Sequence, residues 1–438
     1  MTGEIQIAAP LPTAERKAFA YPSSAHKTSG LLLAGLAILA TLPYVPVFVQ
    51  PFLSDDYVQL DLGRKYGPVS AWGSLFADPL YRCRATSIVM THWTEQWFGT
   101  SPLPFYTTSV LLHILNTWLL LITARRLGLG GVRSYIASAF FAVYLGHQEA
   151  VMWYAALPEL LLFFFCGCFL LSWNSYLRGR SNAQFALAIL WFVLARLSKE
   201  AGVVLVPIAA AMAYQRDCSL WRIAPLACIA AIYTVLIFMA KTDHLHLNDG
   251  TFSLRAPFVL TWARSIGRMF WIWGLLAVLA IAFWRRRAWR SLVPAAIWMG
   301  VAMLPFSFLL YMPVVPSRHT YLASAGIGFF VATGLLVTRA KFREHRWVMP
   351  VLLVTMLTHH SGYILIKKRQ QFLDRAVATE DLLRIARGTK GPIYITCFPY
   401  AREVAENAIE IVLSQPATRL VWDTAPPPGV ITYCAKDP

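Results

Sequence analysis

The sequence predicts an all-α polytopic membrane protein with a small α/β unit at its C-terminal end. Of the 438 residues, 57% are hydrophobic and 14% are charged, whereas soluble domains average about 25% charged residues. Apolar stretches of membrane length recur, and residues 30–53 and 98–124 contain no Asp, Glu, Lys or Arg. Because about 20 apolar residues span a bilayer, this composition excludes an ordinary soluble protein.

The pattern predicts about eleven transmembrane helices. Their spans, each defined to within a few residues, are 30–53, 102–124, 134–146, 157–175, 183–195, 201–215, 223–240, 265–284, 291–311, 321–338 and 347–366. A single long helix over 183–215 would reverse every later crossing and move the arginine run at 285–290 to the outer side. We therefore predict two short helices there.

The net charge of +17 is explained by basic loops, because Lys and Arg of membrane proteins collect in cytoplasmic loops. The charge therefore does not indicate a nucleic-acid partner. Short basic loops lie at 125–133, 178–180, 216–222, 285–290 and 339–346, and longer or less basic ones at 54–101, 147–156, 196–200, 241–264 and 312–320. We predict a cytoplasmic tail over 1–28, a transmembrane domain over 29–366 and an extracytoplasmic tail over 367–438, without a cleavable signal peptide. A bacterial inner membrane is the expected location.

The two short spans around Arg196–Glu200 have a structural consequence. A helix of about 13 residues reaches roughly 20 Å, whereas the hydrocarbon core is about 30 Å thick. Charge at that depth is tolerated where it is buried in protein or faces a water-filled cavity. The third span is equally short and ends near His147, so we predict a funnel that opens outward.

The C-terminal tail has the pattern of a small α/β unit. Helices are predicted over 371–387 and 402–413, strands over 393–396 and 419–422, and a turn over 426–429. Cys397 and Cys434 both fall in this tail, where an oxidising compartment permits a disulfide. The sequence leaves open whether they form one.

The first outer loop begins with adjacent carboxylates, Asp55 and Asp56, directly after the first span. Partial desolvation and mutual repulsion at a membrane boundary raise the pKa of such a pair. The pair is a candidate general base or a ligand set for a hard cation, and the alternative is a solvated helix cap. Aromatic residues later in the loop favour interfacial helices; they are Trp72, Phe76, Trp93, Trp97 and Phe98.

Several elements in this order resemble the GT-C superfamily of polyprenyl-phosphate-sugar-dependent glycosyltransferases, which includes protein O-mannosyltransferases and aminoarabinose transferases. They are the acidic pair, Tyr81–Arg84, Phe98–Gly99, Leu111–Asn116, the stretch 146–153 followed by Ser198–Glu200, and Ser317–Ser324. The resemblance covers residues 30–340. It implies a transferase at the outer face that moves a monosaccharide from a polyprenyl phosphate to a hydroxyl acceptor on a protein, lipid or glycan.

The resemblance also implies roles for individual residues. Asp55 is the first choice for the base that activates the acceptor, and Asp56 is the second. Cations stabilise a leaving phosphate, and the best candidates for binding it are Lys199 and Arg318, with Arg84, Arg264 and Arg268 behind them. The residues expected to line or support the cavity are His147, Glu149, Glu200, His319, Tyr321, His113 and Asn116.

Each assignment has a simpler alternative. Lys199 would pair with Glu200 or extend to the interface, and Glu149 would close a structural ion pair instead of binding a cation with His147 and the aspartates. His113 and Asn116 are more typical of interhelical hydrogen bonds.

Two details stay open in this reading. Arg264 and Arg268 would equally suit lipid headgroups, and either Arg82 or Arg84 takes the place of the family arginine. No cofactor is indicated with certainty, and a divalent cation is possible.

Two other functions compete with transfer. A transporter or flippase for a lipid-linked sugar would use the same cationic cavity without chemistry, although transporters usually show two related halves that this sequence lacks. A surface-polysaccharide polymerase or ligase would use similar donors, but its main catalytic loop is expected late in the chain. The identity of the sugar and of the acceptor cannot be predicted from the sequence.

Overall fold

A computed structural model describes residues 29–239, 252–310, 313–422, 425–427 and 429–435. The predicted cytoplasmic tail 1–28, residues 240–251 of the loop before the eighth span, and Pro428 of the predicted turn lie outside this range. The helices are α1 Gly30–Thr41, α2 Asp56–Tyr66, α3 Trp72–Ala77, α4 Ala85–Phe98, α5 Pro102–Arg126, α6 Gly131–Val143, α7 Gln148–Met152, α8 Leu157–Gly179, α9 Asn182–Ser198, α10 Leu205–Tyr214, α11 Ala224–Met239, α12 Phe258–Trp284, α13 Val293–Met303, α14 Tyr321–Lys341, α15 Val348–Gly362, α16 Arg369–Gly388 and α17 Arg402–Leu413.

Within the described residues, eight helical segments are long and apolar enough to cross a membrane. They are Gly30–Val49, Pro102–Arg126, Tyr154–Gly179, Leu220–Met239, Phe258–Trp284, Arg286–Phe306, Ser317–Lys341 and Val348–Gly388. Three shorter apolar helices, Gly131–Val143, Asn182–Ser198 and Glu200–Tyr214, coincide with the three shortest predicted spans. Each predicted span therefore has a helix, while the count of eleven crossings stays a prediction.

Helix α14 is the most buried of the long helices and packs against α6, α12 and α13. A Cβ at Gly334 would lie 2.5 Å from Cα of Ala277, and one at Gly328 would lie 2.8 Å from the carbonyl oxygen of Ala137. Glycine at these two positions lets α12 and α6 approach closely, as small residues do between membrane helices.

Contacts between loops show which loops share one end of the bundle. Arg133 donates to Oγ of Ser291 at 3.1 Å, and Arg178 donates to the carbonyl of Arg126 at 2.8 Å. Basic loops that are distant in sequence therefore meet at one end, as the charge pattern predicted. Which side of the membrane that end faces stays a prediction.

The turn predicted at Arg196–Glu200 is narrower than expected. Helix α9 continues through Ser198, and the chain leaves the helical conformation at Lys199, whose φ is −163° and ψ is 150°. A short 3-10 helix, Glu200–Val204, then leads into α10. The break at Lys199 separates two helices, and both Arg196 and Lys199 are buried.

The tail contains a three-stranded parallel sheet formed by β1 Ile393–Cys397, β2 Leu420–Trp422 and β3 Ile431–Cys434, in the order β2–β1–β3. Both helices and two strands agree with the predicted pattern, whereas β3 was not predicted. A disulfide joins Cys397 to Cys434 and so links β1 to β3. The last membrane helix and the tail helix α16 are continuous through a π-helical segment, Tyr363–Lys368, and the boundary predicted at 366 falls inside it.

Candidate active site

The two adjacent aspartates occupy different environments. Asp56 is fully buried at the start of α2, and its carboxylate has three hydrogen-bond partners. The backbone N–H groups of Leu53 and Ala155 donate to it at 2.9 and 2.7 Å, and the Tyr106 hydroxyl lies 2.8 Å away. Burial raises the pKa of Asp56 to about 7 in spite of these bonds. Asp56 thus joins three separate segments and is closed to a substrate.

Asp55 is the residue that remains accessible. Its carboxylate makes no hydrogen bond or ion pair with any other described residue. The protein around it raises the pKa of Asp55 by desolvation, and the positive charges of Arg375 and Arg318 oppose that rise. The preceding residue, Ser54, has a φ of +30°, a strained backbone conformation of the kind that clusters at functional sites.

Arg318 and Arg375 lie over the same aromatic ring. Their guanidinium carbons are 4.8 and 4.4 Å from the ring centroid of Trp153, within the range of a cation–π interaction. Glu149 accepts a hydrogen bond of 3.1 Å from the backbone N–H of Arg318 and lies 3.9 Å from its guanidinium. The indole N–H of Trp153 is buried without a partner among the described residues. This arrangement places two cations, Arg318 and Arg375, near the exposed carboxylate of Asp55, with Glu149 against Arg318.

A second charged cluster lies deeper in the bundle. Lys199 forms a buried ion pair with Glu159, and His319 hydrogen-bonds the same carboxylate oxygen. Nζ of Lys199 lies 3.0 Å from Nδ1 of His319, and the ring of Phe306 stacks on that imidazole at 4.6 Å. Lys199 therefore pairs with Glu159, and not with Glu200 as the alternative had proposed. His319 follows Arg318 directly, so the two clusters adjoin.

Arg84 and Glu200 lie beside the deeper cluster. Their side chains are 3.6 Å apart and partly accessible. Arg196, which is almost fully buried, hydrogen-bonds the Glu200 carbonyl, and Arg82 donates to the carbonyl of Leu236 at 3.2 Å. The Nε atoms of Arg82 and Arg196 are buried without partners among the described residues. Guanidinium groups outnumber carboxylates in this region, and the excess of positive charge favours the binding of an anion.

His113, Asn116 and Tyr321 form a buried network that joins helices. Nδ1 of His113 is 2.7 Å from the Tyr321 hydroxyl, and its Nε2 is 2.9 Å from the carbonyl of Ala142. Asn116 donates to the carbonyl of Leu160 at 2.9 Å. This geometry agrees with the alternative that His113 and Asn116 make hydrogen bonds between helices. His147 is also buried, and its Nε2 lies 2.6 Å from Oγ of Ser324.

The remaining predicted residues lie at the edge of the site. Arg268 is exposed and donates to the carbonyl of Val315, while Arg264 is exposed near the start of the same helix. Among the residues described, no three His, Cys, Asp or Glu side chains are grouped so that they could hold a metal ion. The cation site considered for His147 and Glu149 with the aspartates is thus not assembled, because His147 is buried against α14 and Glu149 pairs with Arg318.

Fold and site together define a polytopic helical membrane protein with an accessible carboxylate facing cations at one end of its bundle. No family model matches the chain. Over 97 residues it is 35% identical to the protein O-mannosyl-transferase Tmtc1 of Drosophila melanogaster, a match that covers 22% of this chain and 11% of that relative. The chain thus spans only about a tenth of the curated relative's length.

One solved structure shows the same architecture over most of the chain. ArnT from Cupriavidus metallidurans, bound to undecaprenyl phosphate, has a TM-score of 0.54 and 14% identity, covering 88% of this chain and 85% of that one. An oligosaccharyltransferase of Archaeoglobus fulgidus, tethered to an acceptor peptide, has a TM-score of 0.49 and 12% identity, covering 89% and 63%. The chain therefore has the fold of the ArnT structure, in agreement with the GT-C resemblance predicted from its motifs.

Three residues of the site were missed at the sequence level. Glu159 is a lone carboxylate at the start of an apolar span, and a charge in that position is itself a signal of function or of a buried partner. Trp153 stands in the stretch 146–153, and the pattern of that stretch does not indicate a role for its ring. Arg375 lies among other charged residues of an amphipathic tail helix, and no sequence signal distinguishes it.

Proposed function

We propose that this protein is a membrane glycosyltransferase that moves a monosaccharide from a polyprenyl phosphate to a hydroxyl acceptor at the outer face of the membrane. The observation that carries the proposal is Asp55, an accessible carboxylate beside Arg318 and Arg375 in a GT-C fold. The undecaprenyl phosphate bound to the ArnT structure supports the donor class. The similarity to an O-mannosyl-transferase supports a hydroxyl acceptor.

The site residues suit the bonds that must change. Asp55 accepts the proton of the acceptor hydroxyl as its oxygen bonds to the anomeric carbon. The bond from that carbon to the phosphate oxygen breaks, and its electron pair stays on the phosphate, so the products are a glycoside and a polyprenyl phosphate. The sugar carries oxocarbenium character in the transition state, which the negative charge of Asp55 stabilises.

The leaving phosphate gains negative charge and is stabilised by fixed cations. Arg318 and Arg84 are partly accessible, with side chains 26% and 23% exposed. Lys199 would contribute positive charge from a position deeper in the protein, because it forms a buried ion pair with Glu159. Arg268 lies at the rim, and a phosphate diester leaves without a separate general acid.

The experiment uses the purified protein in lipid nanodiscs with a panel of radiolabelled polyprenyl-phosphate sugars and membrane extracts as acceptors. We expect one donor to label a macromolecule. Asp55→Asn should reduce transfer by about 10²- to 10⁴-fold, and Asp61→Asn, on the helix that follows Asp55, is the matched control. A transporter or flippase would move the donor across the membrane without labelling any acceptor. Full transfer by Asp55→Asn would contradict the assigned base.

A further inference from the structure

The tail helix α16 places one of its arginines in the candidate site. Arg375 lies 321 positions after Ser54, and its Nη2 donates to Oγ of that serine at 3.5 Å. Its guanidinium also lies over Trp153 beside Arg318. Among the cations near Asp55, Arg375 lowers the pKa of that carboxyl most strongly. A residue of the C-terminal unit is therefore part of the surroundings of Asp55.

The rest of the C-terminal unit fixes this arginine in place. The Tyr400 hydroxyl donates to the carbonyl of Arg375 at 2.6 Å, and the Tyr400 ring packs against Phe398 at 5.7 Å. Phe398 and Tyr400 lie one and three residues after Cys397, which the disulfide links to β3. Helix α17 packs against α16 on one side and against α2, the helix that follows Asp55, on the other. The same unit thus supports both the arginine and the aspartate.

The charge of Arg375 is not neutralised by a contact with any residue that the structure describes. Among the described residues, no carboxylate oxygen lies within 4.0 Å of its guanidinium nitrogens. By contrast, Arg384 on the same helix lies 2.6 Å from Asp381. A planar guanidinium binds phosphate oxygens in a bidentate manner. Arg375 is close enough to lower the pKa of Asp55, yet the two side chains do not form an ion pair, so the guanidinium keeps donors for a ligand.

We propose that Arg375 and Arg318 together bind the phosphate of the lipid-linked donor, with Trp153 as their common support. This assignment rests on the proposed function and extends it, because it makes the C-terminal α/β unit part of the active site. The same chemistry would suit an anionic group on the acceptor, and the experiment separates the two sources.

The test measures binding of polyprenyl phosphate, the donor without its sugar, to the full-length protein in nanodiscs. Arg375→Ala should weaken binding by about 10- to 100-fold, as expected for a lost hydrogen bond between charged groups. Arg375→Lys should bind with intermediate strength, because it keeps the charge and loses the planar fork. Arg384→Ala is the control and should bind like the unsubstituted protein. Melting temperatures of all three variants without ligand report their folding.

Transfer kinetics complete the test. The proposal predicts that Arg375→Ala and Arg375→Lys both raise the KM for the donor, whereas the KM for the acceptor stays unchanged. Normal binding of polyprenyl phosphate by Arg375→Ala, or an equal loss in Arg384→Ala, would overturn this assignment alone. A raised KM for the acceptor together with normal donor binding would indicate that the anionic group bound by Arg375 belongs to the acceptor. That result would overturn the donor assignment. If the unsubstituted protein binds no polyprenyl phosphate, the proposed function fails as well.

Discussion

The cations of the site lie in two regions that differ in how their charge is compensated. In the deeper region, Lys199 is buried against Glu159 and His319, so its charge is neutralised inside the protein. In the shallower region, Arg318 and Arg375 lie over Trp153 and face the accessible carboxylate of Asp55. A buried ion pair contributes mainly to a defined structure, whereas a partly accessible guanidinium can bind a ligand.

The aspartate pair shows the same contrast between neighbours in sequence. Asp56 has its hydrogen-bonding capacity used by backbone groups and a tyrosine, and Asp55 has no such partner among the described residues. We therefore expect substitutions in the closed group, Glu159 and Asp56, to affect folding. Substitutions in the open group, Asp55 and Arg375, should affect transfer. The following predictions test that division, beginning with the largest expected effect on stability.

The first prediction concerns the buried ion pair. Glu159→Ala leaves the ammonium group of Lys199 buried without its carboxylate, and breaking such a pair costs about 3–5 kcal/mol. We expect a large loss of folded protein and a lowered melting temperature in detergent. Glu159→Ala combined with Lys199→Met should recover part of that stability, since it removes both charges. An unchanged melting temperature for Glu159→Ala would contradict the description of Lys199 and Glu159 as a buried ion pair that stabilises the deeper region.

The second prediction compares the neighbouring aspartates. Asp56→Asn places an amide NH₂ opposite a backbone N–H, so a buried donor loses its acceptor at a cost of about 1–3 kcal/mol. The melting temperature should fall for Asp56→Asn and stay unchanged for Asp55→Asn, with thermal unfolding monitored by intrinsic tryptophan fluorescence. Equal melting temperatures would contradict the different roles assigned to the two residues.

These two predictions show what could and could not be read from the sequence. Charge-free spans and alternating basic loops predicted the membrane fold, because insertion in lipid depends on local composition. Ordered motifs indicated Asp55, Lys199 and Arg318. Asp56 is buried and unavailable to a substrate because Tyr106 and the backbone of Ala155 hydrogen-bond its carboxylate. No local sequence pattern encodes those contacts. Arg375 could not be predicted, because its position follows from the packing of the tail on α2.

The third prediction has the smallest effect and concerns pH. Transfer requires ionised Asp55, whose pKa desolvation raises, so kcat/KM should fall as the pH drops through a value above the usual range for aspartate. Arg375 opposes that rise. Arg375→Gln should therefore shift the acidic limb of the pH–rate profile to higher pH, and Arg384→Ala should leave it in place. An unshifted limb would show that Arg375 does not act on the base.

The central claim is that Asp55 activates the acceptor, and one measurement tests it most directly. Single-turnover transfer from a purified polyprenyl-phosphate sugar is compared for the unsubstituted protein, Asp55→Asn and Asp61→Asn, with polyprenyl phosphate binding measured in parallel. The account predicts that Asp55→Asn binds the lipid phosphate normally but transfers sugar about 10²- to 10⁴-fold more slowly, while Asp61→Asn does both normally. Transfer by Asp55→Asn at the unsubstituted rate would contradict it.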